Sequence, residues 1–394
     1  MIAILDAASW LISAPGLVMF STYFTECALG QMRLHVSTAA DATLPSLAVL
    51  VPAHNEAAGI SPTLKAIIAD MPIGTLLIVI ADNCSDTTAD VARAAGAQVI
   101  ERTDLERRGK GYALAFGCDH LRPNPPQCVL IIDADCVPDR GAIPLLARTA
   151  HASGRPVQAR NGLTAPPDAA PMVQISNFAF LMKNFVRQRG GVHLGGPALV
   201  TGTGMVFPWS IIATAPLASG NIVEDLALGI YCARIGAMPL YCDQARVWSA
   251  AADQAETLTQ RRRWEHGFLS TARSYGVPLI AEGLGRGRWS LIYLGLHLLV
   301  PPLTLLLLIG VMTLGVLGVL CLAGAGCGAL FALSVLMALG GALTLLSWAR
   351  FGRSALAAKT LIQLPLYVLW KIPVYLGFLK KRETDWVRTK RAGE

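Results

Sequence analysis

Apolar and polar positions divide the chain into stretches with different rhythms. Residues 2–29 are almost continuously apolar, with Asp6 and Glu26 as the charged positions. No basic stretch precedes them, so 1–30 is predicted as a retained transmembrane helix rather than a cleaved signal. From about Leu44 to Arg286, short apolar runs (47–51, 76–80 and 129–132) end at polar residues and alternate with helical patterns such as 89–95, closed by Gly96. Strands alternating with helices predict an α/β domain over 44–286, with a largely parallel, doubly wound sheet and its ligand at the carboxyl ends of the strands.

From Trp289 the rhythm becomes that of lipid-facing helices. Residues 299–323 and 329–348 each reach the ~20 positions a bilayer crossing needs, and the link 324–328 carries no charge. Arg286 and Arg288 precede this pair and Arg350, Arg353 and Lys359 follow it, so 289–349 reads as a transmembrane hairpin with both open ends cytoplasmic. The N-terminus then lies outside. Pro365, Lys371 and Pro373 interrupt 361–379, which favours an interfacial or re-entrant helix over a crossing. The segment 355–394 thus ends in a basic cytoplasmic tail containing Lys380, Lys381, Arg382, Arg388, Lys390 and Arg391.

Composition agrees with a membrane protein: 53% of residues are hydrophobic and 15% charged. The net charge of +7 sits largely beside the apolar segments, which suits lipid head groups, and basic residues are not interleaved with aromatics as a nucleic-acid platform requires. Nine cysteines are scattered without a CxxC pair or a Cys/His cluster. That spacing argues against zinc and against a disulfide framework, and fits reduced thiols in a cytosol-facing domain.

Five polar clusters are candidates for chemistry, each with a plainer alternative. Val51-Pro52-Ala53-His54-Asn55-Glu56 carries a strand into a helix-opening loop, as a ligand loop or an ordinary turn does. Asp82 ends the next apolar run and suits a base or ribose as well as it suits a turn; Ser85 and Asp86 suit helix capping better. Asp133 and Asp135 follow a buried run, where a divalent ion bridging to phosphates offsets their repulsion, unless the loop is simply solvated. Glu224 and Asp225 open an amphipathic helix, where the macrodipole alone favours acids, or where Asp225 acts as a general base. Gln260-Arg261-Arg262-Arg263-Trp264 suits diphosphate and a sugar face, or merely orients the chain in the membrane.

The order of these five clusters resembles membrane-bound members of glycosyltransferase family 2, the relatives of cellulose, chitin and hyaluronan synthases. The resemblance spans about Leu47 to Trp264 and, more loosely, the hairpin. It implies a GT-A nucleotide-diphospho-sugar transferase fold, with Glu56 in the donor loop and Asp82 near the uracil or ribose. Asp133 and Asp135 would hold the nucleotide and its Mg²⁺ or Mn²⁺, and Asp225, beside Glu224, is implied as the catalytic base. Gln260, Arg263 and Trp264 match the acceptor and diphosphate motif. Arg108-Gly109-Lys110-Gly111 resembles a Lys-Gly segment that makes Lys110 a phosphate contact, and Thr201-Gly202-Thr203-Gly204-Met205 matches a small-residue segment near the acceptor. Val223 stands where processive synthases usually have Thr, and the membrane portion is shorter than in enzymes that secrete their own polymer.

The expectation is therefore an inverting hexosyltransferase of the plasma (inner) membrane, multi-pass, with its catalytic domain cytoplasmic. Its donor is expected to be a UDP-sugar, UDP-glucose or UDP-N-acetylglucosamine. The acceptor is expected to be a polyprenyl-linked oligosaccharide or an exopolysaccharide, with membrane lipids as partners and no nucleic acid. A processive polysaccharide synthase shares the same residues and is separated by product length. A transport or scaffold component leaves the ordered acids unexplained.

Overall fold

The computed structural model describes residues 2–34, 42–166, 168–220, 223–250 and 254–380; the basic tail beyond Lys380 lies outside them. The described residues fall into two compact units. One comprises the residues up to Arg33, Pro166–Gly196 and those from Phe268 on; the other comprises Leu34–Ala165 and Pro197–Gly267.

The second unit is built on an eight-stranded sheet. Its strands are β1 (Leu47–Ala53), β2 (Leu76–Asp82), β3 (Gln98–Arg102), β4 (Cys128–Ile131), β5 (Cys136–Pro138), β6 (Val157–Thr164), β7 (Met205–Pro208) and β8 (Leu240–Ala250), in the order β3-β2-β1-β4-β7-β6-β8-β5. The predicted runs at 47–51, 76–80 and 129–132 fall on β1, β2 and β4. The first four strands of the order are parallel, as expected. Beyond β4 the sheet becomes mixed: β7 pairs antiparallel with β4 and β6, while β8 runs parallel to β6 and antiparallel to β5.

The continuous apolar character of β1 follows from burial on both faces. Leu47, Val49, Val51 and Ala53 enter one core with Ile60, Leu64 and Ile67 of helix Ile60–Asp70 and Ile143, Leu146 and Ala150 of helix Ala142–Ser153. Ala48 and Leu50 enter the opposite core with Ala113, Leu114 and Cys118 of helix Lys110–Leu121 and Leu228 and Cys232 of helix Glu224–Arg234. Three layers result, with the carboxyl ends of β1, β2 and β4 opening on one edge.

In the other unit, Ile2–Leu29, Leu303–Leu322 and Gly328–Gly352 are long and apolar enough to cross a membrane. The apolar stretch expected to begin at 299 starts at Leu303 instead. Pro301-Pro302 ends a separate helix, Trp289–Leu299, because proline offers no N–H and excludes the helical conformation from the residue before it. Glu26, an oddity in an apolar helix, is fully buried. Arg187 Nε donates to its Oε2 at 2.5 Å, Tyr293 OH donates to Oε1 at 2.7 Å, and His297 Nδ1 stands 2.6 Å from Oε1. Gly190 makes this approach feasible, since a Cβ there would lie 1.9 Å from the Glu26 carbonyl oxygen.

The cysteines depart from expectation at one place. Cys321 and Cys327 form a disulfide across the tip between the last two apolar helices, and the other seven are free. Five intervening residues, two of them glycine, bring together two sulfurs that a search for CxxC spacing overlooks. The segment after the hairpin is a 3₁₀ turn, Ala358–Gln363, followed by helix Leu364–Lys380, and Pro373 lies inside that helix.

Candidate active site

Lys110 opens helix Lys110–Leu121, an end where the helix dipole disfavours a cation, so its charge must be held by acids. Its Nζ donates to Asp133 Oδ1, just past β4, and to the carbonyl oxygen of Gly202 at 2.6 Å, and it lies 4.0 Å from Glu224 Oε1. Burial opposes the charge on Lys110, but Asp133, Glu224 and Asp225 outweigh burial and hold its pKa above the ordinary lysine value. Burial likewise pushes Glu224 up to about 8, with Lys110 pulling it down and Asp225 adding to the rise.

Glu224 and Asp225 form the first turn of helix Glu224–Arg234, and Asp225 Oδ1 accepts from the Leu226 N–H at 2.8 Å. The Gly202 loop passes between the two charged elements with φ +86°. A Cβ at Gly202 would stand 3.2 Å from Asp225 Oδ2 and 3.4 Å from Lys110 Nζ. Thr203 Oγ1 accepts from the Asp133 N–H at 3.1 Å. Gln158, buried on β6, ties the loop down: its amide donates to the Thr203 carbonyl at 2.9 Å and its Oε1 accepts from the Thr201 N–H at 3.0 Å.

Asp133, Asp135 and Cys136 place one ligand atom each within 4.8 Å of one another. Cys136 Sγ lies 2.9 Å from Ser249 Oγ, and burial drives its thiol well above the ordinary range, so it stays protonated. The two carboxylates are left as hard oxygen donors suited to Mg²⁺ or Mn²⁺.

Asp82 ends β2 and is buried. Its Oδ1 accepts from Arg102 Nη1 at 2.7 Å and from Asn83 Nδ2 at 3.1 Å, while His54 Nδ1 donates to its carbonyl at 2.7 Å. Arg102 also donates to Asp104 Oδ2 at 3.0 Å and lies 5.7 Å from the centre of the Tyr112 ring. Glu56 is buried at the end of β1, its N–H donating to Thr88 Oγ1 at 2.7 Å. Asp86 Oδ1 accepts from the Thr88 N–H at 3.0 Å, so it does cap the next helix.

Gln260, Arg263 and Trp264 share one face of helix Gln254–Gly285. Gly267 seats this helix on the residue before Glu224, since a Cβ there would lie 2.7 Å from Val223 Cγ1. The Arg261 guanidinium packs 4.8 Å over the Trp264 ring. Of the residues singled out from sequence, Lys110, Asp133, Glu224 and Asp225 therefore meet in one cluster, with Asp135 beside it. Asp82 stands in a separate polar group with His54. Sequence reading missed Arg102 and Gln158; the signal for Arg102 lies in the β2–β3 register, which sets it opposite Asp82.

Comparison with known proteins identifies the fold and the family. The low-salt glycan biosynthesis hexosyltransferase Agl6 of Haloferax volcanii is 34% identical over 105 residues, which is 26% of this chain and 24% of that protein. The chain thus matches about a quarter of the curated relative's length. The mannosyltransferase PcManGT of Pyrobaculum calidifontis, solved with GDP-mannose and Mn²⁺, superposes with a TM-score of 0.55 at 16% identity, covering 93% of this chain and 98% of that one. The fold is GT-A. Residues 45–267, more than half of the 394, match the glycosyltransferase-like family 2, and with the acidic cluster at the carboxyl edge of a GT-A sheet the chain belongs to that family.

Proposed function

We propose that the chain is an inverting hexosyltransferase that moves a sugar from a UDP-linked donor to a lipid-linked oligosaccharide or exopolysaccharide acceptor. The observation that carries this reading is the Lys110–Asp133–Glu224–Asp225 cluster around Gly202. Asp225 takes the proton from the acceptor hydroxyl as that oxygen attacks the anomeric carbon. The bond to the diphosphate breaks and its electron pair leaves with UDP. Lys110 and Arg263 meet the charge on the departing phosphates, and no covalent intermediate forms. Glu224 borders Lys110, its Oε1 4.0 Å from Nζ.

Asp133 and Asp135 hold Mg²⁺ or Mn²⁺, in line with the Mn²⁺ bound to the Pyrobaculum mannosyltransferase. When bound, such an ion supplies Lewis-acid neutralisation of the diphosphate.

Uridine is favoured over guanosine by Asp82. Its Oδ1 is occupied by Arg102 and Asn83, so the carboxylate meets a base through one oxygen. Uracil presents a single N–H between two carbonyls, whereas guanine presents two adjacent donors that call for both oxygens.

Two independent features support an orientation in the plasma membrane with the hairpin tip outside and the sheet domain cytoplasmic: arginines at the open end of the hairpin, and a disulfide at its tip, since disulfides persist on the oxidising side.

The test is nucleotide release by the full-length protein, incubated with Mn²⁺ and membrane lipid extract and supplied in turn with UDP-glucose, UDP-N-acetylglucosamine and GDP-mannose. UDP release dependent on the extract is expected. Turnover of GDP-mannose alone overturns the donor assignment.

A further inference from the structure

Two π-helical turns face each other in the unit that contains the membrane helices: Met182–Arg187, and Trp348–Gly352 at the end of the last apolar span. Such turns make up well under about 1% of residues in globular proteins and concentrate where a helix must re-aim its side chains for a function. Here they interlock. Phe185 and Phe351 meet edge to face with ring centroids 5.2 Å apart, and a Cβ on Gly352 would lie 2.7 Å from the Phe178 ring.

The rings so placed carry arginines. The Arg189 guanidinium lies 4.3 Å over Phe185 and 5.8 Å from Phe351, Arg350 lies 5.1 Å over Phe351, and Arg353 lies 5.6 Å over Trp348. Trp348 is itself fixed, its Nε1 donating to the Leu356 carbonyl at 2.8 Å. Arg350 and Arg353 are exposed, and their described contacts are aromatic rings and, at 3.3 Å from Arg350 Nη1, the Gln31 amide oxygen. A guanidinium held beside a ring by cation–π attraction can still offer N–H donors to a planar or tetrahedral anion.

Positive-inside bias and the dipole of the helix end account for basic residues at 350 and 353. They do not account for the ring under each guanidinium, for the facing π-turns, or for Arg189, which reaches the same rings from a different part of the chain. The position at the end of a membrane span is that of lipid phosphates, not of a soluble anion.

We propose that Arg189, Arg350 and Arg353, set on Phe185, Phe351 and Trp348, form a binding site for the phosphate of an anionic membrane phospholipid. The site needs the planar fork of arginine and not charge alone.

Native mass spectrometry of the full-length protein released from detergent tests this without any turnover, using palmitoyl-oleoyl phosphatidylglycerol and phosphatidylcholine as paired probes. Phosphatidylglycerol adducts should dominate in the wild type. The triple variant Arg189→Ala/Arg350→Ala/Arg353→Ala should lose them by at least about tenfold, given the severalfold contribution of each basic residue at an anionic surface. The triple lysine variant keeps the charge and guards against misfolding of the alanine variant; its phosphatidylglycerol retention should fall clearly below wild type. Equal retention of the two lipids by the wild type overturns the proposal. So does undiminished phosphatidylglycerol binding by the lysine variant. Adducts formed by a polyprenyl diphosphate through the same arginines, undisplaced by phosphatidylglycerol, also overturn it, because the site would then belong to the acceptor.

Discussion

Gly202 leaves room for Asp225: a methyl group at 202 would stand 3.2 Å from the Asp225 carboxylate oxygen, on a backbone already in the left-handed region at φ +86°. Two costs therefore fall on Gly202→Ala. The left-handed conformation costs an L-residue about 1–2 kcal/mol, and the methyl group crowds the carboxylate proposed to remove the proton. The expected result is a modest fall in melting temperature and a much larger fall in kcat. Wild-type kcat in a folded Gly202→Ala protein would refute the close approach.

Asp225→Asn keeps the size of the side chain and deletes the proposed base. Losing one general base costs on the order of 10²–10⁴ in rate. Turnover should fall within that range while UDP binding, followed by calorimetry, stays near wild type. Near-normal transfer would remove Asp225 from the mechanism.

Asp135→Ala should weaken nucleotide-sugar binding only when Mn²⁺ or Mg²⁺ is present, because the carboxylate acts through the ion. Titrating UDP-sugar with metal and with excess EDTA separates the two conditions. Equal loss in both, or full wild-type activity in EDTA, contradicts a metal-bridged site.

The pKa of Glu224 is raised by burial, to about 8. An acid whose folded-state pKa is raised is held protonated by the fold. Its stabilising contribution is complete below the unfolded carboxylate pKa and is lost as pH rises through the folded value. The wild-type protein, free of metal and nucleotide, should therefore lose thermal stability from about pH 5 to about pH 9, and Glu224→Gln should flatten that slope. A variant whose melting temperature follows the wild-type curve across that window would show that Glu224 is not the titrating group.

Much of this site is written in local sequence, and some of it is not. Asp82 and Asp133 were legible because each follows a run of apolar residues buried on both faces of the sheet, which dates the strand end to within a residue or two. The meeting of Lys110 with Asp133 and Glu224 was not legible from spacing, since Asp133 lies 23 positions from Lys110 and Glu224 a further 91 along the chain, and only the fold closes those loops. Arg102 was invisible for a related reason: its role depends on strand pairing that places it opposite Asp82. The mixed half of the sheet escaped because β5 and β7 are only three and four residues long, too short for alternation to show. Hydropathy placed the apolar helices but marked the change at Trp289, whereas packing groups the residues from Phe268 on, and the insertion Pro166–Gly196, with the membrane helices. An insertion with ten polar or charged residues among its 31 gives no hydropathic signal of that kind.

The disulfide makes the topology testable on native cysteines. If the hairpin tip lies outside, Cys321 and Cys327 are oxidised there and the sheet domain keeps its free thiols, Cys84, Cys118, Cys128, Cys136, Cys232 and Cys242, in the reducing cytoplasm. In a variant retaining only this pair, an impermeant maleimide should label intact cells only after an impermeant phosphine has reduced the bond. A single added cysteine reports independently, and Ala323 is the better position, because Ala325 at the tip is only 6% exposed while Ala323 is open to solvent. In a cysteine-free background Ala323→Cys should label in intact cells, and Ala392→Cys, in the basic tail, should label only after lysis. Labelling of Ala392→Cys from outside would mean that the segment ending at Lys380 crosses the bilayer. Protection of Ala323→Cys until lysis would invert the whole chain, and with it the side on which Asp225 meets its acceptor.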